Sequence, residues 1–164
     1  MAGVATSTLE APAEGFLTLR ASEQSVLASE AGAFASALKP ADAERFLKLS
    51  VAAEQGAIPN DLLPALDTLL ELLLSTQRVR RQHGHEAEES LKHLFARTPR
   101  GSRLREAAKL TNDALAGLAG RTLTHLAFTP TPSGHRVELE VEGARLTLLI
   151  DRGGVHVDSV EVAA

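Results

Sequence analysis

Near residue 120 the apolar residues change their period, and that change constrains the fold more than any other feature of the chain. Before it, they recur every three or four positions, as one face of a helix requires. Leu27, Ala31, Phe34 and Leu38 show the spacing, as do Leu62, Leu66, Leu69, Leu70 and Leu73. After it they alternate. In "HRVELEVEG" Val137, Leu139 and Val141 lie on one side of an extended chain, and Arg136, Glu138, Glu140 and Glu142 on the other. "ARLTLLID" repeats the pattern with Leu146, Leu148 and Ile150. A period of two reads as a half-buried strand.

Helices followed by strands predict an α+β fold. The expectation is about five helices and then a C-terminal three- or four-stranded antiparallel β-meander packed on the helices. Residues 1–20 are read as a mobile N-terminal arm, 21–120 as the helical region and 121–164 as the sheet region. "FLTLR" (Phe16–Arg20) is the apolar exception that can dock as an extended segment. Helices and sheet are treated as one globular domain, because roughly 40 strand residues bury too little area alone.

The helix boundaries follow from caps and breakers. Ser22 is placed at an N-cap. Pro40 opens a second helix with Ala43, Phe46, Leu47 and Ser50 on one face, closed near Gly56. A third begins near Asn60–Asp61 and runs to Gly84. A fourth aligns Ala87, Leu91, Leu94 and Phe95. "RTPRGSR" reads as a loop, with Ser102 capping a fifth helix. Its inward face is Leu104, Ala107, Ala108, Thr111, Leu115 and Leu118. In "GVHVDSVEV" the apolar phase slips, which predicts a β-bulge near Asp158.

Hydrophobic residues make up 44% of the 164, enough for a sizeable core, and aromatic residues only 3%. Such a core rests on Ala and Leu, which let helices approach closely. The absence of cysteine excludes disulfides, thiolate metal sites and cysteine nucleophiles. The N-terminal stretch lacks the basic start and apolar centre of a secretory signal. The most apolar run, "LLPALDTLLELLL", is too short and too interrupted by Asp67 and Glu71 to cross a bilayer. The reading is a soluble cytoplasmic protein with no membrane partner.

Charge is unevenly distributed. Between Arg78 and Arg121 stand ten Lys or Arg against five Asp or Glu, leaving seven basic and sixteen acidic residues elsewhere. Arg97, Arg100, Arg103 and Arg105 surround the expected loop that opens a helix, where free backbone N–H groups attract anions. Cations in a first helical turn oppose the dipole, so these four are candidate anion-binding residues, for phosphate or a nucleic-acid backbone. The simpler reading pairs them with Glu138, Glu140 and Glu142 or leaves them solvated.

"RQHGHEAEESLKH" gathers three histidines and three glutamates. On a helix His85 and His93 stand about 12 Å apart along the axis, too far to share one ion. His85 and Glu89, or Glu89 and His93, form at most a two-ligand start, with His83 a further donor across Gly84. The glutamates suit the positive end of a helix dipole, and a solvated helix start is the reading preferred. No metal and no cofactor is expected.

The chain contains no Walker A, dinucleotide or nucleophile-elbow pattern. Ser133, His135 and Asp151 occur without a strained strand-to-helix turn. The sequence is therefore read as a non-enzymatic interaction protein, an adaptor, scaffold or regulator, that binds a protein partner or itself through an apolar helix face or a sheet edge. Leu63, Leu72 and Leu74, outside the apolar stripe of the third helix, are its candidate partner-binding residues. Nucleic-acid or phosphate binding through the arginines is the alternative, and a small-ligand regulatory domain a further one.

Overall fold

The computed structural model describes residues 15–162. Among the described residues six helices precede a four-stranded antiparallel sheet, so the fold is α+β. The chain divides into two compact units, 1–99 and 100–164. Of the arm expected over residues 1–20, residues 1–14 lie outside the described residues.

In the first unit the exceptional "FLTLR" does dock. Phe16–Thr18 forms β1 and pairs antiparallel with β2 (Ala57–Pro59), Leu17 opposite Ile58. Leu17, Leu19 and Ile58 are buried, so this short ribbon is held by side-chain burial. Helix α1 spans Ala21–Ser36, α2 Pro40–Glu54, α3 Leu63–Ser75 (after a 3-10 turn at Asn60–Leu62), α4 Arg78–His83 and α5 His85–Arg97.

The core of this unit is the one the periodicity marks out. Leu27, Phe46, Leu49, Leu66, Leu69, Leu70, Leu73, Leu91 and Leu94 are buried together, and Phe34 meets Phe46 edge to face. On α2 the inward face turns slightly from expectation. Ala43, Phe46, Leu49 and Ala53 are buried while Leu47 is exposed. Ser50 stays near that face and donates its hydroxyl to the Ala28 carbonyl of α1.

Two boundaries differ from the sequence expectation. Helix α1 is not capped by Ser22. Its N-cap is Arg20, whose N–H donates to the Glu23 carboxylate at 2.7 Å. The long helix expected to run to Gly84 ends at Ser75. The hydroxyls of Ser75 and Thr76 both bond back to the Leu72 carbonyl, and Gln77 takes a left-handed conformation, φ 54°. Local side-chain bonds of this kind compete with the helical ladder.

The second unit contains α6 (Pro99–Ala116) from its second residue on, β3 (Leu123–Thr131), β4 (Gly134–Val141), β5 (Ala144–Asp151) and β6 (Gly154–Val162), the strands lying in chain order. Although 21–120 reads as one helical region, α6 packs with the sheet. The expected loop "RTPRGSR" contracts to Thr98. A residue before proline is driven to extended backbone, and Thr98 has φ −70°, ψ 158°. Pro99 then starts α6, and Ser102 lies inside the helix rather than capping it.

Val137, Leu146 and Leu148 form the centre of this unit's core, with Leu139, Ile150, Val155, Val157, Ala114 and Leu118 around them. On α6 the inward residues are Leu104, Ala107, Thr111 and Ala114, followed by Leu118, a strict alternation of three and four. Ala108 and Leu115, expected inside, flank that seam and are exposed. Thr111 donates its hydroxyl to the Val155 carbonyl, fixing α6 against β6. The predicted bulge is present. Thr147 pairs with Ser159 and Leu148 with Val157, which leaves Asp158 over.

Candidate functional site

The three candidate leucines do not form one surface. At 3.6 residues per turn, Leu63 and Leu74 share a side of α3 and Leu72 lies roughly opposite. Leu63 and Leu74 are half-buried against the first unit's core. Leu72 is exposed. It borders a groove of about 340 Å³ floored by Phe34, Ala37 and Leu73, with Arg78 and Arg81 on its rim.

The arginines at 97–105 are also separated. Arg97 belongs to the last turn of α5. Its Nη2 donates to Glu23 Oε2 at 2.6 Å and its Nη1 to the Thr18 carbonyl at 2.9 Å. Glu23 is 0% exposed and the Arg97 side chain 18%. Arg97 is therefore a tie joining α5 to α1 and β1. Arg105 is exposed on α6.

Arg100 and Arg103 instead line a cavity of about 390 Å³ with Leu104, Arg152, Gly153 and His156. Two of these side chains, Arg152 and His156, come from the β5–β6 hairpin. Their approach is a consequence of strand order and could not be read from local spacing. Arg100 Nη2 donates to the Arg152 carbonyl at 3.4 Å. His156 Nε2 stands 3.3 Å from Asp151 Oδ1, which also accepts the Gly153 N–H. Among the described residues no ion pair joins Glu138, Glu140 or Glu142 to Arg103 or Arg105. Glu140 faces Arg145 at 3.6 Å.

The histidine segment resolves into two arrangements. His83 turns away from the others and meets buried Glu30 at 2.8 Å, where Arg78 also donates at 2.7 Å. That pairing explains why Arg78 and His83 sit in α4. His85, Glu88 and Glu89 form the second group, at positions i, i+3 and i+4 on one face of α5. One ligand atom of each lies within 4.8 Å of the others. Glu88 is the member the sequence reading passed over. Its signal is His-x-x-Glu spacing combined with the stripe of Leu91 and Leu94, which pulls position 88 toward the core.

Glu88 is buried, its side chain only 7% exposed, and its Oε2 accepts no hydrogen bond. His85 Nδ1 and Arg80 Nε stand 3.7 and 3.8 Å from that oxygen. Lys92 bonds to Glu89 Oε1 at 2.8 Å and lies 3.5 Å from Glu88 Oε1. The Lys92 hydrogen bond holds the Glu89 carboxyl below its ordinary value and raises the Lys92 ammonium above its own. His93 lies outside this group.

A further surface lies on the sheet. Leu126 pairs with Leu139 and Phe128 with Val137, so all four share a face. Val137 is buried, yet Leu126 is 57% exposed and Phe128 62%. A single helix about 10 Å across cannot cover four strands spaced near 4.8 Å, and α6 leaves the β3 side open. Strand β3 is also a sheet edge, and Leu123–Thr131 contains no Asp, Glu, Lys or Arg.

Comparison with protein-family models, curated proteins and solved structures finds no match to this chain. Among the described residues no helix is long and apolar enough to cross a membrane.

Proposed function

We propose that the chain is a non-enzymatic interaction protein, a cytoplasmic adaptor, scaffold or regulator, that self-associates through the β3 edge of its sheet. The observation that carries this reading is the exposure of Leu126 and Phe128 on an edge strand that has no Asp, Glu, Lys or Arg. Edge strands usually carry charge, proline or a bulge that discourages pairing. The opposite edge does so: β6 has Asp158, Glu161 and the bulge. On β3 the irregularity at Leu123/His125 and Pro130 bracket an open stretch, Leu126–Thr129. Two copies joined about a two-fold axis would align these stretches antiparallel with no like-charge repulsion.

Sedimentation across a wide concentration range tests the proposal. The expected result is a concentration-dependent dimer that Phe128→Glu converts to monomer. Because Phe128 is exposed, that change spares the fold. A monomer at every concentration, or a dimer indifferent to Phe128→Glu, overturns it.

The second reading, anion binding, rests on the cavity that gathers Arg100, Arg103, Arg152 and His156. Arg97 and Arg105 drop out of it. A phosphate oligoanion or short nucleic acid would then bind with an affinity falling steeply with salt. Arg103→Ala with Arg152→Ala would abolish that binding, and Arg105→Ala would not.

A further inference from the structure

We propose that His85, Glu88 and Glu89 form a binding site for a divalent transition-metal ion of the zinc class, on the first turns of α5. The three donors occupy i, i+3 and i+4, the spacing that projects side chains from one helix face toward a common point. Ligands at about 2.0–2.1 Å from a tetrahedral ion stand roughly 3.4 Å apart. His85 Nδ1 and Glu88 Oε2 are already 3.7 Å apart, and all three donors fall within 4.8 Å. A small rotation of two exposed side chains completes the approach, since His85 is 66% and Glu89 43% exposed.

The burial of Glu88 is the independent observation. A buried carboxylate oxygen without a hydrogen bond costs free energy. Glu88 Oε2 is in that condition, with the His85 nitrogen at 3.7 Å and the Arg80 guanidinium at 3.8 Å, while Lys92 stands near the other oxygen, Oε1. A cation between Oε2 and Nδ1 satisfies it. One imidazole and two carboxylates suit zinc, cobalt or nickel better than calcium or magnesium, which favour all-oxygen shells. Three protein ligands leave a fourth position for water or for a donor from a partner. The helix dipole disfavours a bare cation at this end, so attraction must come from the two carboxylates. Arg80 and Lys92 offset part of their charge. Removing Lys92 should therefore tighten binding.

The test is titration of the metal-free 164-residue chain with Co²⁺, followed by visible absorption, and with Zn²⁺ by calorimetry. The expected result is one ion per chain at neutral pH. His85→Ala, at an exposed position that does not threaten folding, weakens binding about tenfold or more. Glu88→Gln does the same, with circular dichroism checking the fold. Lys92→Met binds several-fold tighter, and His93→Ala, about 12 Å along the helix from His85, binds unchanged. Absence of stoichiometric binding in the micromolar range overturns the site. Binding that survives His85→Ala, or that is lost in His93→Ala, also overturns it.

Discussion

Replacing Arg97 with methionine removes the guanidinium from the Glu23 carboxylate and keeps most of the aliphatic packing. Glu23 is 0% exposed, and its Oε2 takes two hydrogen bonds, from Arg97 and from the Arg20 N–H. With Arg97 gone, a fully buried carboxylate keeps one. Breaking a buried pair from one side costs about 3–5 kcal/mol, because the remaining charge stays desolvated. The lower half of that range is expected, since Glu23 retains the Arg20 N–H. With a urea slope of about 1–3 kcal/mol per molar, the midpoint of the first unit falls by roughly 2 M. The chain has no Trp or Tyr, so the readout is far-ultraviolet circular dichroism. The double variant Glu23→Met with Arg97→Met removes both charges and should recover much of the loss. It will still lack the acceptor for the Arg20 N–H, worth about 1 kcal/mol at a helix start. A loss below about 1 kcal/mol in Arg97→Met, the level of an exposed pair, would refute the reasoning. So would a double variant no better than the single.

Other outcomes follow from individual contacts. Gly134→Ala should disrupt the β4–β5 pairing, because a Cβ there would overlap the Ile150 carbonyl, and loss of amide protection across that pair would show it. Leu70→Ala should cost about 2–5 kcal/mol while Leu72→Ala stays within about 1 kcal/mol, since only Leu70 is fully buried; equal losses in denaturation would contradict the assignment of faces. The Glu44 carboxyl is lowered by its hydrogen bond from Lys48. A lowered carboxyl stabilises the fold above its unfolded value and loses that contribution as pH falls through the folded one. Carbon-detected NMR titration should show the Glu44 midpoint rising in Lys48→Met, and an unmoved midpoint would exclude the pair in solution.

The sequence by itself determined the fold class, the apolar stripes of α1, α3 and α5, the alternating strands and the bulge at Asp158. All are set by spacing along the chain, through the periods of 3.6 and 2 that backbone geometry imposes. Within the candidate sites, His85 and Glu89 were legible for the same reason, being one helical turn apart. The tertiary structure decided the rest. Arg97 reads as a member of an arginine cluster, and only the return of α1 and β1 beside α5 shows that it neutralises Glu23. The cation cavity of Arg100 and Arg103 needs Arg152 and His156, about fifty residues later. The exposure of Leu126 and Phe128 depends on how much of the sheet one helix can cover. Charge and exposure arise from neighbours distant in the chain, and a local pattern carries no record of them.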